Sequence, residues 1–137
     1  MANKRDVEAF KNELKNLPYY RQKLREIYDN LDTLEYEMAN VKGVDYSKQM
    51  GNPNEYATQL KILSMIEKHE ELEQKKNTYL LKVREINDVL KRMEDEDREL
   101  VVDVVAHGRK YRDVCEKLGI STSVLHYRIN EIIEEAL

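Results

Sequence analysis

The sequence has little of what breaks helices or cross-links chains. Its 137 residues include 4 glycines, 2 prolines, 1 cysteine and no tryptophan. Cys115 has no second cysteine to pair with, so a disulfide framework is excluded and a reducing compartment is implied. The glycines and prolines (Pro18, Gly43, Gly51, Pro53, Gly108 and Gly119) all fall between periodic segments, so they punctuate the chain. Long hydrophobic runs are also missing. The longest, Leu100 to Ala106, is interrupted by Asp103, and the opening MANKRDVEAF lacks the apolar core of an export signal. A cytoplasmic protein without a membrane segment is expected. Catalytic signals are equally sparse: there is no phosphate-cradling glycine loop and no Cys or His pair at metal spacing, and His69, His107 and His126 lie on different segments. Glu70 with Glu71, and Asp95 with Asp97, read as solvated helix charges, and Cys115 as packing. No enzyme activity, cofactor or metal is expected.

Charge and periodicity are abundant. Charged residues make up 36% of the chain at a net charge of −4, and the apolar residues recur at helical spacing, so the expected class is all-α. Val7, Phe10, Leu14, Leu17, Tyr20, Leu24, Ile27, Leu31, Leu34, Met38 and Val41 alternate steps of three and four, broken only at Leu17 to Tyr20, where Pro18 sits. Proline there removes a helical hydrogen bond, which predicts helices near 3–17 and 18–41. The stretch 42–52, with Val44, Asp45 and Tyr46, has the turn chemistry of a loop. Asn52, Pro53 and Glu55 then form a good helix start.

From Pro53 the seam Ile62, Met65, His69, Leu72, Lys76, Tyr79, Val83, Ile86, Leu90, Met93 is coiled-coil-like. At 1.5 Å per residue this helix spans roughly 60 Å, close to the roughly 58 Å of the two preceding segments together, so an antiparallel hairpin fits. Folding back of residues 3–17, with a second chain covering the seam, is the alternative. Either way 1–93 is read as helical arms, with Ile62, Met65, Leu72, Tyr79, Val83, Ile86 and Leu90 as oligomerisation residues. His69 and Lys76 stand where aliphatics would pack better, as residues that set register do.

Residues 94–137 change character. An acidic start, EDEDREL, leads into Leu100, Val101, Val104 and Val105, and this helix is expected to stop at Gly108. A second helix buries Tyr111, Val114, Cys115 and Leu118 and ends at Gly119. Ser121 caps a third, whose Leu125, Ile129, Ile132 and Ala136 face inwards. That is the spacing of a helix-turn-helix. At 100° per residue, Ser123, Tyr127 and Asn130 lie opposite the apolar stripe, with His126 on one shoulder and Thr122 at the tip. These side chains both donate and accept hydrogen bonds, as base edges require. Arg109, Lys110, Arg112, Lys117 and Arg128 outnumber Asp113 and Glu116 between His107 and Asn130, five against two, and are assigned to phosphates.

EDRELVVDVVAHGRKYRDVCEKLGISTSVLHYRINEIIEEAL resembles the region-4 helix-turn-helix of sigma factors, where G-x-S-Y-x-E-I-A-x-x-L-G-I-S precedes the recognition helix. Gly108, Tyr111, Asp113, Val114, Leu118, Gly119, Ile120 and Ser121 match outright or conservatively. With its helical arms and VKGVDYSK linker, the chain is similar to the RinA/ArpU-like phage transcriptional activators. Lys110 replaces a serine cap, at a cost of about 1 kcal/mol, and Cys115 a small alanine. Glu131, Glu134 and Glu135 keep the last turns of the third helix off phosphates, which leaves its first two turns for the groove. The resemblance implies a DNA-binding regulator of phage or prophage genes that binds double-stranded DNA as a homodimer, with RNA polymerase a further candidate partner. The alternatives are a small terminase subunit-like packaging protein, which requires a closed ring, and a coiled-coil adaptor or anti-sigma-type protein, which requires no duplex binding.

Overall fold

The computed structural model describes residues 2–42 and 53–137. Every secondary-structure element among them is helical: α1 Lys4–Lys15, α2 Leu17–Lys42, α3 Pro53–Lys91, α4 Asp95–Val101, a π-helical turn Val102–Ala106, α5 Tyr111–Leu118 and α6 Thr122–Ala136. Of the expected 42–52 loop, residues 43–52 lie outside the described part, and with them Val44, Asp45, Tyr46 and the Asn52 cap. No helix among the described residues is long and apolar enough to cross a membrane.

Local chemistry accounts for the breaks. Asn3 and Asp6 form a capping box: the Asn3 side chain accepts from Asp6 N at 2.9 Å, and the Asp6 carboxylate accepts from Asn3 N at 3.0 Å. α1 ends because Pro18 has no N–H to offer the carbonyl of Leu14. The chain turns at Asn16 and restarts at once, with Tyr20 N donating to Asn16 O at 2.9 Å. The α4 helix ends earlier than expected. Its continuation widens into the π turn, closed by His107 N donating to Val102 O at 3.0 Å, before Gly108 adopts a positive φ of 66°.

The chain forms two compact units, residues 1–21 with 81–137 and residues 22–80, which cuts across the expected division at 93/94. In the first unit α1 packs on α6 and on the π turn, and α6 also contacts α4 and α5. Val7, Phe10 and Leu14 of α1 join Val101, Val104, Val105, Val114, Cys115, Leu125, Ile129 and Ile133 in one core. Burying each such side chain contributes about 1.5–3 kcal/mol. Lys11 is buried too, with its ammonium 3.7 Å from Glu8. Ile86, 3% exposed, and Leu90 belong to this core as well, so neither offers a surface to a second chain as the seam reading expected.

Arg98 caps the end of α3 and the turn that follows it. Its guanidinium donates to Leu90 O at 2.8 Å and Met93 O at 2.9 Å. Arg92 does the same for α6, donating to Ala136 O at 3.1 Å.

The second unit is a pair of long helix segments. Leu24, Ile27, Leu31 and Leu34 of α2 and Met65 of α3 are buried. Ile62, Leu72 and Tyr79 are half-buried. Thr33 and Leu34 share a groove of about 400 Å³ with Leu72 and Lys75. The two segments touch through polar side chains as well, His69 Nε2 lying 3.2 Å from Glu35 Oε1.

Candidate nucleic-acid interface

The candidate surface is the outer side of α5, the turn after it, and the first half of α6. Gly119 follows α5 with φ 69°, a left-handed conformation that L side chains adopt only with strain, and Cys115 O accepts from both Gly119 N at 2.8 Å and Ile120 N at 3.2 Å. Gly119, Ile120 and Ser121 alone separate α5 from α6. Ser121 Oγ then accepts from Val124 N at 3.3 Å and caps α6 as expected. At α5 no side chain caps the helix at Lys110. Leu118 is left 44% exposed rather than buried, and Ile120 is half-buried.

Rigid packing on one side of α6 decides what the other side offers. Leu125, Ile129 and Ile133 have no exposed surface. Thr122, Ser123, His126 and Tyr127 are exposed, Tyr127 to 69%. Asn130 departs from the expectation of a free amide. It is half-buried, its Nδ2 lies 3.2 Å from His126 Nε2, and its Oδ1 is buried without a hydrogen-bond partner among the described residues. The His126 ring also lies beside Tyr111, with centroids 6.4 Å apart. Burial pushes the Tyr111 hydroxyl above the ordinary tyrosine range, with Glu8 and Cys115 adding to the shift.

The five bases are less free than their count implies. Arg109 lies 3.7 Å from Asp103, Arg112 lies 3.4 Å from Glu116, and Arg128 lies 3.9 Å from Asp97. Lys110 and Lys117 form no ion pair among the described residues, and both are exposed. Arg109, Lys117 and Arg128 line a groove of about 240 Å³ together with Glu96, Glu99 and Asp103, so its charges balance. A second groove, of about 880 Å³, is lined by Tyr127, Leu137, Ala2 and four acids, Asp6, Glu131, Glu134 and Glu135. The exposed side of α6 thus carries Thr122, Ser123, Val124, His126, Tyr127 and the ion-paired Arg128 over its first two turns and acids beyond. Asp97 and Asp103, which neutralise two of the arginines, carried no sequence signal because they come from other elements; Glu116, one turn from Arg112, did.

No family model, curated protein or solved structure matches the chain.

Proposed function

We propose that the chain is a sequence-specific, duplex-DNA-binding transcription regulator. In this reading α5, the Gly119 turn and α6 act as a helix-turn-helix, and the paired α2 and α3 act as an antiparallel hairpin through which two copies associate. The observation that carries it is the first half of α6: Ser121 caps it, Leu125 and Ile129 anchor it in the core, and Thr122, Ser123, His126 and Tyr127 stand exposed. A helix fits the major groove, and hydroxyl and imidazole groups match base-edge donors and acceptors there. The N-terminal turn also favours a phosphate, through its open N–H groups and dipole. Lys110 and Lys117 supply the free positive charge beside it. Glu131, Glu134 and Glu135 repel phosphates, so α6 enters the groove end-on by its first two turns.

A single unit of this size buries too little DNA for tight specific binding, and two copies on a repeated or symmetric site supply the rest. The resemblance to RinA/ArpU-like activators adds the role: control of phage or prophage genes, with RNA polymerase a further candidate partner. Duplexes selected from a random pool by the full chain, alongside a light-scattering mass, test the reading. Enrichment of a common motif and a dimer mass are expected; no duplex retention at low salt overturns it.

A protein-binding adaptor is the second reading. The acidic groove beside Tyr127 and the three ion-paired arginines favour it. It requires that duplex binding be undetectable at low salt, where phosphate contacts are strongest.

A further inference from the structure

His69 and Lys76 interrupt the apolar seam of α3, and nothing in the DNA-binding reading uses them. In the second unit they meet two carboxylates. His69 Nε2 lies 3.2 Å from Glu35 Oε1, and the Lys76 ammonium is paired with Glu73. One donor atom from each of Glu35, His69 and Glu73 lies within 4.8 Å of the other two. Donors on a single first-row ion, with bonds of about 2.0–2.2 Å, can be no more than about 4.4 Å apart, so small side-chain movements converge these three. His69 and Glu73 are one turn apart on α3, and Glu35 comes from α2.

We propose that Glu35, His69 and Glu73 bind one divalent transition-metal ion, Zn²⁺ in the first place, which joins α2 to α3. One imidazole and two carboxylates suit Zn²⁺, and the imidazole disfavours Mg²⁺ and Ca²⁺, which take oxygen ligands. The three side chains are partly exposed, at 59% for Glu35, 30% for His69 and 34% for Glu73, so an ion has a route in and water can complete its coordination. Lys76 pairs with the Glu73 carboxylate when no ion is bound. It is also the ion's competitor, and its flexible stem lets the ammonium move to solvent when the ion arrives. The site carries no paired Cys or His that would mark a metal in the sequence: one donor lies on another helix and two are carboxylates. The proposal stands whether or not α6 binds DNA.

The test uses the full chain stripped with chelator, with Zn²⁺ in thermal melts and Co²⁺ as the spectroscopic probe. His69→Leu restores an aliphatic to the seam, so it keeps the helix pair while deleting a ligand. Saturating Zn²⁺ should raise the wild-type midpoint by several degrees and leave His69→Leu and Glu35→Gln unmoved, and Co²⁺ should give visible absorption bands with the wild type but with neither of these variants. Lys76→Ala should bind Zn²⁺ several-fold more tightly than the wild type. A midpoint that Zn²⁺ does not raise, or raises equally in wild type and His69→Leu, overturns the site and leaves the cluster as a register-setting network.

Discussion

Asn130 turns its amide Nδ2 towards His126 Nε2, 3.2 Å away and one turn earlier on α6. An amide nitrogen only donates, so the contact is a hydrogen bond when Nε2 carries a lone pair. The two residues thereby present one joint polar surface instead of two independent ones. Their contributions to duplex affinity should therefore not add. In a cycle of His126→Ala, Asn130→Ala and the double variant, measured by fluorescence anisotropy on a selected duplex, a coupling of at least about 0.5 kcal/mol is expected. Strict additivity would show that the pair does not act as a unit.

Tyr127 makes a cleaner probe of base contact because it is 69% exposed and supports no core. Tyr127→Ala should leave the melting midpoint unchanged and weaken binding to a selected duplex by about 1–3 kcal/mol, with little change on random duplex. Equal losses on both would contradict direct readout.

Lys117 and Arg128 line the same groove but differ in their partners, since among the described residues only Arg128 of the two has a carboxylate, Asp97, at 3.9 Å. Lys117→Ala should flatten the salt dependence of duplex binding by about one unit in the log–log slope. Arg128→Ala should flatten it less, because its charge is already partly neutralised. Salt titrations of both variants on one duplex decide the order.

Arg98 closes the end of α3 with two charge-assisted bonds to main-chain carbonyls, at 2.8 Å and 2.9 Å. Arg98→Ala should destabilise the chain by about 2 kcal/mol in urea unfolding, because both acceptors lose their partner. Arg98→Lys should recover part of that loss through a single bond.

Tyr111 gives an alkaline prediction. Its folded-state hydroxyl is raised above the ordinary value, chiefly by burial. A raised group contributes stability that is present below the unfolded value, about 10, and lost as pH rises through that value towards the folded one. Melting midpoints should fall above about pH 10, and Tyr111→Phe should make that fall shallower.

Punctuation was legible in the sequence because its causes are local. Pro18 ends α1 by lacking an N–H, Gly119 permits the left-handed turn, and Ser121 caps α6; each acts within four residues of itself. The outward placement of Ser123 and Tyr127 was legible for the same reason, since helical geometry alone puts them opposite Leu125 and Ile129. The free amide of Asn130 was not, because a neighbour one turn away can satisfy or expose it equally well on a helical wheel.

The apolar spacing of Val7, Phe10 and Leu14 determined that one side of α1 would be covered, but an unsatisfied greasy stripe accepts any complementary stripe. Only the three-dimensional packing decided that α6 and the π turn cover it, which draws the first helix into the same unit as the last. Charge follows the same rule. Composition set how many cations surround α6, whereas electrostatic pairing falls off over a few ångströms, so the positions of Asp97 and Asp103 in the folded chain decided which of those cations remain free.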